Sequence, residues 1–392
     1  MARADFVANA AFPRALLVSC IALACTPPSR PAATRLAGDM VEALSAMERK
    51  VCVTRGVRTN TPSDRCESEV DRATYIEPLR DVFLAAPPIL KAYLCSMDRI
   101  YFDYHSAWNA SFFIRPDSQS GQGYRSVAVR RGVLENRIPY TDWATAWTQH
   151  WWTGGPIDHP TSDPAFPRVE TDSRLAGPSG VLFQLLAHEV GHALAYDYRV
   201  FDRPSGGPFE PAEFGYLSWI SPQWEDSSDA VHFAVAREPA LEAARRIDFT
   251  GNVMSRLPAM EAAEKRGHRF DAGAVAAQGW MPAPRGTIET FLERLDQSSF
   301  TTVFSTWRPE DDWTESFAMM MLPAIARQFD IVSPGGRRVK VLAKASDTGS
   351  PFGPKRRFIE HTIDRALTDF RARQATSPNV CLAAALTGSS AR

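Results

Sequence analysis

The sequence predicts an α+β fold in which a small sheet packs on one long apolar helix and helices predominate elsewhere. Three observations lead there. Ile100–Tyr104, Ala110–Ile114 and Arg125–Arg130 are short and rich in aromatic or β-branched residues. Turn-formers such as Asp117-Ser118-Gln119-Ser120-Gly121 separate them, which is the pattern of strands. Val181, Leu182, Leu185, Leu186, Val190, Ala193 and Leu194 recur at three- and four-residue spacing, which marks a helix with a wide buried face. Most remaining windows with any periodicity have the helical one. The chain of 392 residues is 44% hydrophobic and 23% charged, enough for one large domain or two smaller ones. Its 44 Lys and Arg nearly cancel 45 Asp and Glu, so no strong field favours nucleic acid or an anionic membrane.

The first element in order is a leader. Arg3 and Arg14 are basic, Ala15 to Ala24 is apolar, and prolines follow at 27, 28 and 31. The run is too short to span a hydrocarbon core of roughly 30 Å, so residues 1–25 are expected to be a secretory signal. Ala22-Leu23-Ala24-Cys25 resembles a bacterial lipobox, which would make Cys25 a lipid-anchor site. The expected location is outside the cytoplasm: secreted, periplasmic or held at a membrane as a lipoprotein. Residues 26–35 are a Pro/Ser/Ala linker. Four cysteines remain, Cys52, Cys66, Cys95 and Cys381, which permit two disulfides in an exported chain. Cys52 with Cys66 and Cys95 with Cys381 is the first pairing to test among three.

Residues 36–56 have helical spacing, as do residues 76–97 with an interruption at Pro87-Pro88. The three strands follow. A Trp-rich stretch (Trp143, Trp147, Trp151, Trp152) and an irregular segment over 153–180 come next. Ser179 is the expected N-cap of the apolar helix. Beyond it, residues 199–230 look like loop. Helical spacing returns at 231–247, 257–266, 287–297 and 312–328. A last strand at Arg338–Lys344 and a closing helix at 355–373 complete the reading.

His188-Glu189-Val190-Gly191-His192 lies inside the apolar helix. Residues four apart share a helix face, so both imidazoles can bind one zinc ion. Glu189 is rotated about 100° from His188 and can reach a water at the metal rather than the metal itself. Zinc brings the pKa of such a water to about 7, and a carboxylate beside it takes the proton as general base. Gly191 keeps a side chain off the helix surface beside the ligands. A third ligand is required. Ala195 and Tyr198 stand where the long metzincin pattern needs Gly and His, which excludes that class. Downstream, Asp311 and Glu315 are four apart in Pro309-Glu310-Asp311-Asp312-Trp313-Thr314-Glu315-Ser316-Phe317. Either can bind the metal while the other holds a ligand histidine. An acidic first helical turn alone would also produce this pattern.

The HExxH segment followed by that acidic segment resembles the gluzincin metallopeptidases. More narrowly, it is similar to bacterial zinc-binding metallopeptidases and to the lethal-factor-like catalytic domain. The resemblance rests on these two short motifs and the helix–sheet order around them. It implies a zincin-like catalytic domain over 36–392, a zinc ion, Glu189 as general base and a carboxylate third ligand. The pattern has Glu where this chain has Asp311, a departure that leaves Asp311 and Glu315 both open. The long separation between the motifs implies an insertion at about 199–305. The implied activity is zinc-dependent endopeptidase on a protein or peptide substrate. A zinc amidase acting on cell-wall peptide and a non-catalytic surface binding protein are the rival readings. Tyr196, Tyr198, His232 and His361 are candidates for holding a developing oxyanion. The Trp-rich stretch is expected to be core before groove, and His150 and His159 are not expected as ligands.

Overall fold

A computed structural model describes residues 32–54, 66–67, 71–103, 110–116, 123–153, 159–175, 177–201, 211–221, 235–236, 285–306 and 309–387. The expected signal over 1–25, Cys25 and most of the linker lie outside the described residues. In order, the chain forms α1 (Ala32–Glu48), β1 (Val51–Thr54), α2 (Ala73–Ala85), α3 (Pro88–Ser96), β2 (Arg99–Asp103), β3 (Ala110–Pro116) and β4 (Gly123–Arg130). The next elements are α4 (Arg131–Glu135), α5 (Tyr140–Thr153), β5 (Arg168–Thr171), α6 (Pro178–Asp197), β6 (Trp219–Ser221) and β7 (Val235–Ala236). The C-terminal part holds α7 (Arg285–Gln297), α8 (Pro309–Met321), β8 (Phe329–Val332), β9 (Arg338–Lys340), α9 (Val341–Ser346), α10 (Gly353–Thr376) and α11 (Val380–Thr387). The architecture is mixed α+β with small sheets.

The main sheet has the order β1-β2-β4-β3. β1–β2 and β2–β4 are parallel, and β3 closes the sheet antiparallel to β4, with Phe112 opposite Val127. Its faces follow the two-residue period of a strand. Val51, Val53, Ile100, Phe102, Val127 and Val129 enter the large core, while Cys52, Tyr101 and Ala128 form a small cluster on the other face. The three foreseen strands are present within one or two residues. The predicted helix over 36–56 is corrected: it stops at Glu48, and Val51-Cys52-Val53-Thr54 is a strand buried at every position. β-branched residues fit a pleated, buried surface better than a helix end, and β2 supplies the partner.

A second, antiparallel sheet, β5-β8-β9, was not foreseen. Val169 pairs with Ile331, and Ile331 with Val339. Its strands are three or four residues long, too short for alternation to show. The expected strand Arg338–Lys344 is a strand only to Lys340 and continues as α9. The expected helix 312–328 begins at Pro309 and ends at Met321, before Pro323. Within the expected helix 231–247, Val235–Ala236 is instead a strand on β6, and the rest lies outside the described residues, as does 257–266. Ser179 is not the N-cap. Gly177 precedes the helix, Pro178 occupies its first position, and the Ser179 hydroxyl donates to Asp81 at 2.8 Å.

Both expected disulfides form, Cys52–Cys66 and Cys95–Cys381, with Cα separations of 5.1 and 5.5 Å. The second joins α3 to α11. Ala43 and Met47 of α1 and Leu382 and Ala385 of α11 belong to the same core as Leu182 and Phe183 of α6. Residues 36–96 are thus a structural part of the unit that carries the HExxH helix. Residues 285–306, at the end of the expected insertion, also enter that core through Ile288, Phe291, Leu292, Leu295 and Phe304.

Candidate metal centre

The centre is built on α6. Its sequence is apolar nearly all round, and most of its residues are buried, as a helix crossing a core must be. One turn of this helix separates His188 from His192, and their ring centroids are 5.0 Å apart. Helix α8 packs directly on this turn. A Cβ at Gly191 would lie 3.0 Å from the Cα of Thr314, so any larger residue would push the two backbones apart by a few tenths of an ångström. The Trp313 indole N–H donates to the Gly191 carbonyl at 2.8 Å and locks the approach.

That approach delivers Asp311. Ligand atoms of His188, His192 and Asp311 all lie within 4.8 Å of one another. Among the described residues no other group of three His, Cys, Asp or Glu side chains converges in this way. Glu315, one turn along α8, takes the other position the sequence left open. Its Oε1 lies 3.0 Å from His188 Nδ1, and its Oε2 accepts from the Thr302 hydroxyl at 2.8 Å. In the neutral imidazole, a carboxylate at Nδ1 keeps the proton there and leaves Nε2 as a lone pair. The Thr314 hydroxyl is 3.3 Å from that Nε2. Phe304 stacks on the His188 ring at 5.6 Å and fixes its plane.

Glu189 is 4% exposed. Burial pushes its carboxyl up to about 7, helped by the charge of Asp311 and opposed by His188 and the Phe112 backbone N–H of β3. Its Oε2 is buried without a hydrogen-bond partner in the protein. Burial alone would lower the His188 pKa. The Glu315 hydrogen bond and the charges of Glu189, Glu315 and Asp311 outweigh burial and raise it.

Two imidazoles, one carboxylate and a neighbouring acid with an unsatisfied oxygen form a donor set that fits a divalent metal with one position left for water. No protein-family model, curated protein or solved structure matches the chain. The site's own geometry therefore carries its reading.

The other candidates fall elsewhere. Trp143 and Trp152 are buried core residues. Trp147 is half-buried, stacks between Trp143 and His150, and meets Phe304 edge-on at 5.2 Å. The tryptophans thus back His188 through Phe304. His150 is buried in that stack and His159 is exposed. The Tyr198 hydroxyl donates to Asp369 at 2.5 Å. Tyr196 is 62% exposed, and His361 is exposed on α10. His232 lies outside the described residues. Sequence reasoning missed Thr302, Phe304 and Phe112. Only a fold brings these residues to the motif.

Proposed function

We propose that the chain is an exported zinc-dependent metalloendopeptidase of the gluzincin kind. His188, His192 and Asp311 hold the metal, Glu189 is the general base, and Glu315 orients His188. One observation carries the reading: the three ligand atoms converge within 4.8 Å, with the Glu189 carboxyl adjoining them in the HExxH helix.

When bound, zinc would polarise a carbonyl and bring the pKa of a water to about 7. Glu189 receives the proton of the attacking water and passes it to the leaving amine. Burial raises this carboxyl in the metal-free site, which favours its taking up a proton. The Phe112 N–H holds that carboxyl against β3, and Glu315 with Thr302 keeps the His188 tautomer. β3 ends the main sheet and pairs only with β4 among the described residues. A strand edge beside the base suits an extended peptide, which supports a peptide or protein substrate. Two disulfides and the leader-like residues 1–25 support export, with Cys25 as the lipid-anchor site. Among the described residues no helix is long and apolar enough to cross a membrane.

The test is zinc content by elemental analysis of the purified protein, wild type beside His188→Ala and Glu189→Gln. One zinc per chain is expected in the wild type and in Glu189→Gln, and none in His188→Ala. Cleavage of casein should fall about 10²- to 10⁴-fold in Glu189→Gln. A wild type that takes up no zinc after reconstitution would sink the proposal. Zinc with cleavage of peptidoglycan stems but not of protein would move it to the cell-wall amidase.

A further inference from the structure

We infer that Lys355 is a positioning residue for the metal centre: it seats the Asp312 carboxylate and so sets the rotation of the α8 turn that aims Asp311 at the two histidines. This rests on the metallopeptidase reading above.

Asp311 and Asp312 are neighbours on a helix, so their side chains leave the axis about 100° apart. Asp311 faces the histidines. Asp312 faces away, into a fully buried socket. The Lys355 ammonium donates to both of its oxygens at 2.7 Å. The Trp219 indole N–H donates to Oδ2 at 3.0 Å and the Ser316 hydroxyl to Oδ1 at 3.3 Å. Lys355 and Asp312 are both 0% exposed. The Lys355 Nζ also sits 4.1 Å from the centre of the Phe300 ring, which holds it from the other side. A carboxylate gripped by three side chains fixes the rotation of its helical turn, and with it the direction in which the Asp311 Cα–Cβ bond leaves the axis.

Stability is a weak reason for the pair. A buried ion pair is often no more stabilising than apolar residues of the same volume. Lys355 is also the third residue of α10, whose first turn holds no acid, so its charge opposes the helix dipole. Gly353 secures this placement, because a Cβ there would lie 2.2 Å from the Thr348 carbonyl oxygen. What the pair does supply is direction. It ties the ligand-bearing turn to α10, and Trp219 ties it to β6.

The test compares Lys355→Met, Trp219→Phe and the double variant Asp312→Leu/Lys355→Met with wild type. Three readouts are taken on each: zinc affinity by chelator competition, the visible spectrum of the cobalt-loaded protein, and the melting temperature. Lys355→Met should bind zinc about 10- to 100-fold more weakly, the range for losing a group that orients a ligand. Trp219→Phe keeps the ion pair and loses one donor, so about threefold is expected. The double variant should melt near wild type while keeping the weakened affinity and a changed cobalt spectrum. Should the double variant fail to fold, the affinities and spectra of the two single variants decide. Wild-type zinc affinity and cobalt spectrum in the folded variants would overturn the inference and leave the metallopeptidase reading standing. A wild type that binds no metal would overturn both.

Discussion

Two helices make the candidate centre, and they are held in different ways. α6 carries His188, Glu189 and His192 in its interior, where the helical repeat alone decides that the two imidazoles share a face. α8 carries its acids in and just beyond its first turn, where four N–H groups have no partner within the helix. Its aim comes from outside. Thr302 holds Glu315, Lys355 and Trp219 hold Asp312, and Trp313 holds the carbonyl of Gly191. One half of the centre is specified by local sequence and the other by residues remote in the chain. A metal ligand in a helix interior needs only the helix, whereas one near a helix end needs a neighbourhood.

The largest test of this division sets Asp311→Asn against Glu315→Gln. Loss of the third ligand should abolish zinc binding in Asp311→Asn. Glu315→Gln should keep one zinc with affinity reduced about 10- to 100-fold, because the partner of His188 is weakened but not removed. Zinc lost in Glu315→Gln and retained in Asp311→Asn would invert the two roles.

Gly191→Ala probes the contact between the helices. The added methyl meets the α8 backbone at 3.0 Å, and overpacking of this kind costs about 1–3 kcal/mol. A lower melting temperature with weaker zinc binding is expected. Unchanged values would show that α8 can shift freely. The smallest difference between variants is a shift in the onset of pH dependence. The carboxylates raise the His188 pKa, so a proton competes with the metal from a higher pH than at an ordinary histidine. Zinc affinity should fall about tenfold per pH unit once His188 takes up its proton. In Glu315→Gln the fall should begin at lower pH, since the hydrogen-bonded charge that raises the pKa is gone. Competition titrations across pH 5 to 8 would read the onset in both proteins.

The same division explains what could be read from sequence. The two histidines, Glu189, the apolar helix and the three strands at 99–130 follow from short-range periodicity, and the structure has them nearly where expected. Asp311 and Glu315 were visible as a pair, but their roles were not. The difference lies in Thr302 and in the packing at Gly191, neither of which leaves a local mark. From sequence Val51–Thr54 reads as a helix end because the apolar spacing of α1 runs into it, and its strand partner lies about fifty residues on at β2. β5 and β8 are strands by virtue of each other, across the whole of α6 and α8. Lys355 reads as the start of a basic surface helix until the fold buries it against Asp312.

The Cys95–Cys381 bridge has a bearing on the fate of a damaged molecule. It spans 286 positions and encloses every residue of the candidate centre. A single backbone cut anywhere in that span leaves two fragments that remain one covalent molecule. Nicked protein should therefore run as an intact chain on a non-reducing gel and as two pieces only after a thiol is added. The halves bearing His188 and Asp311 would stay together through the cut, tethered rather than shed.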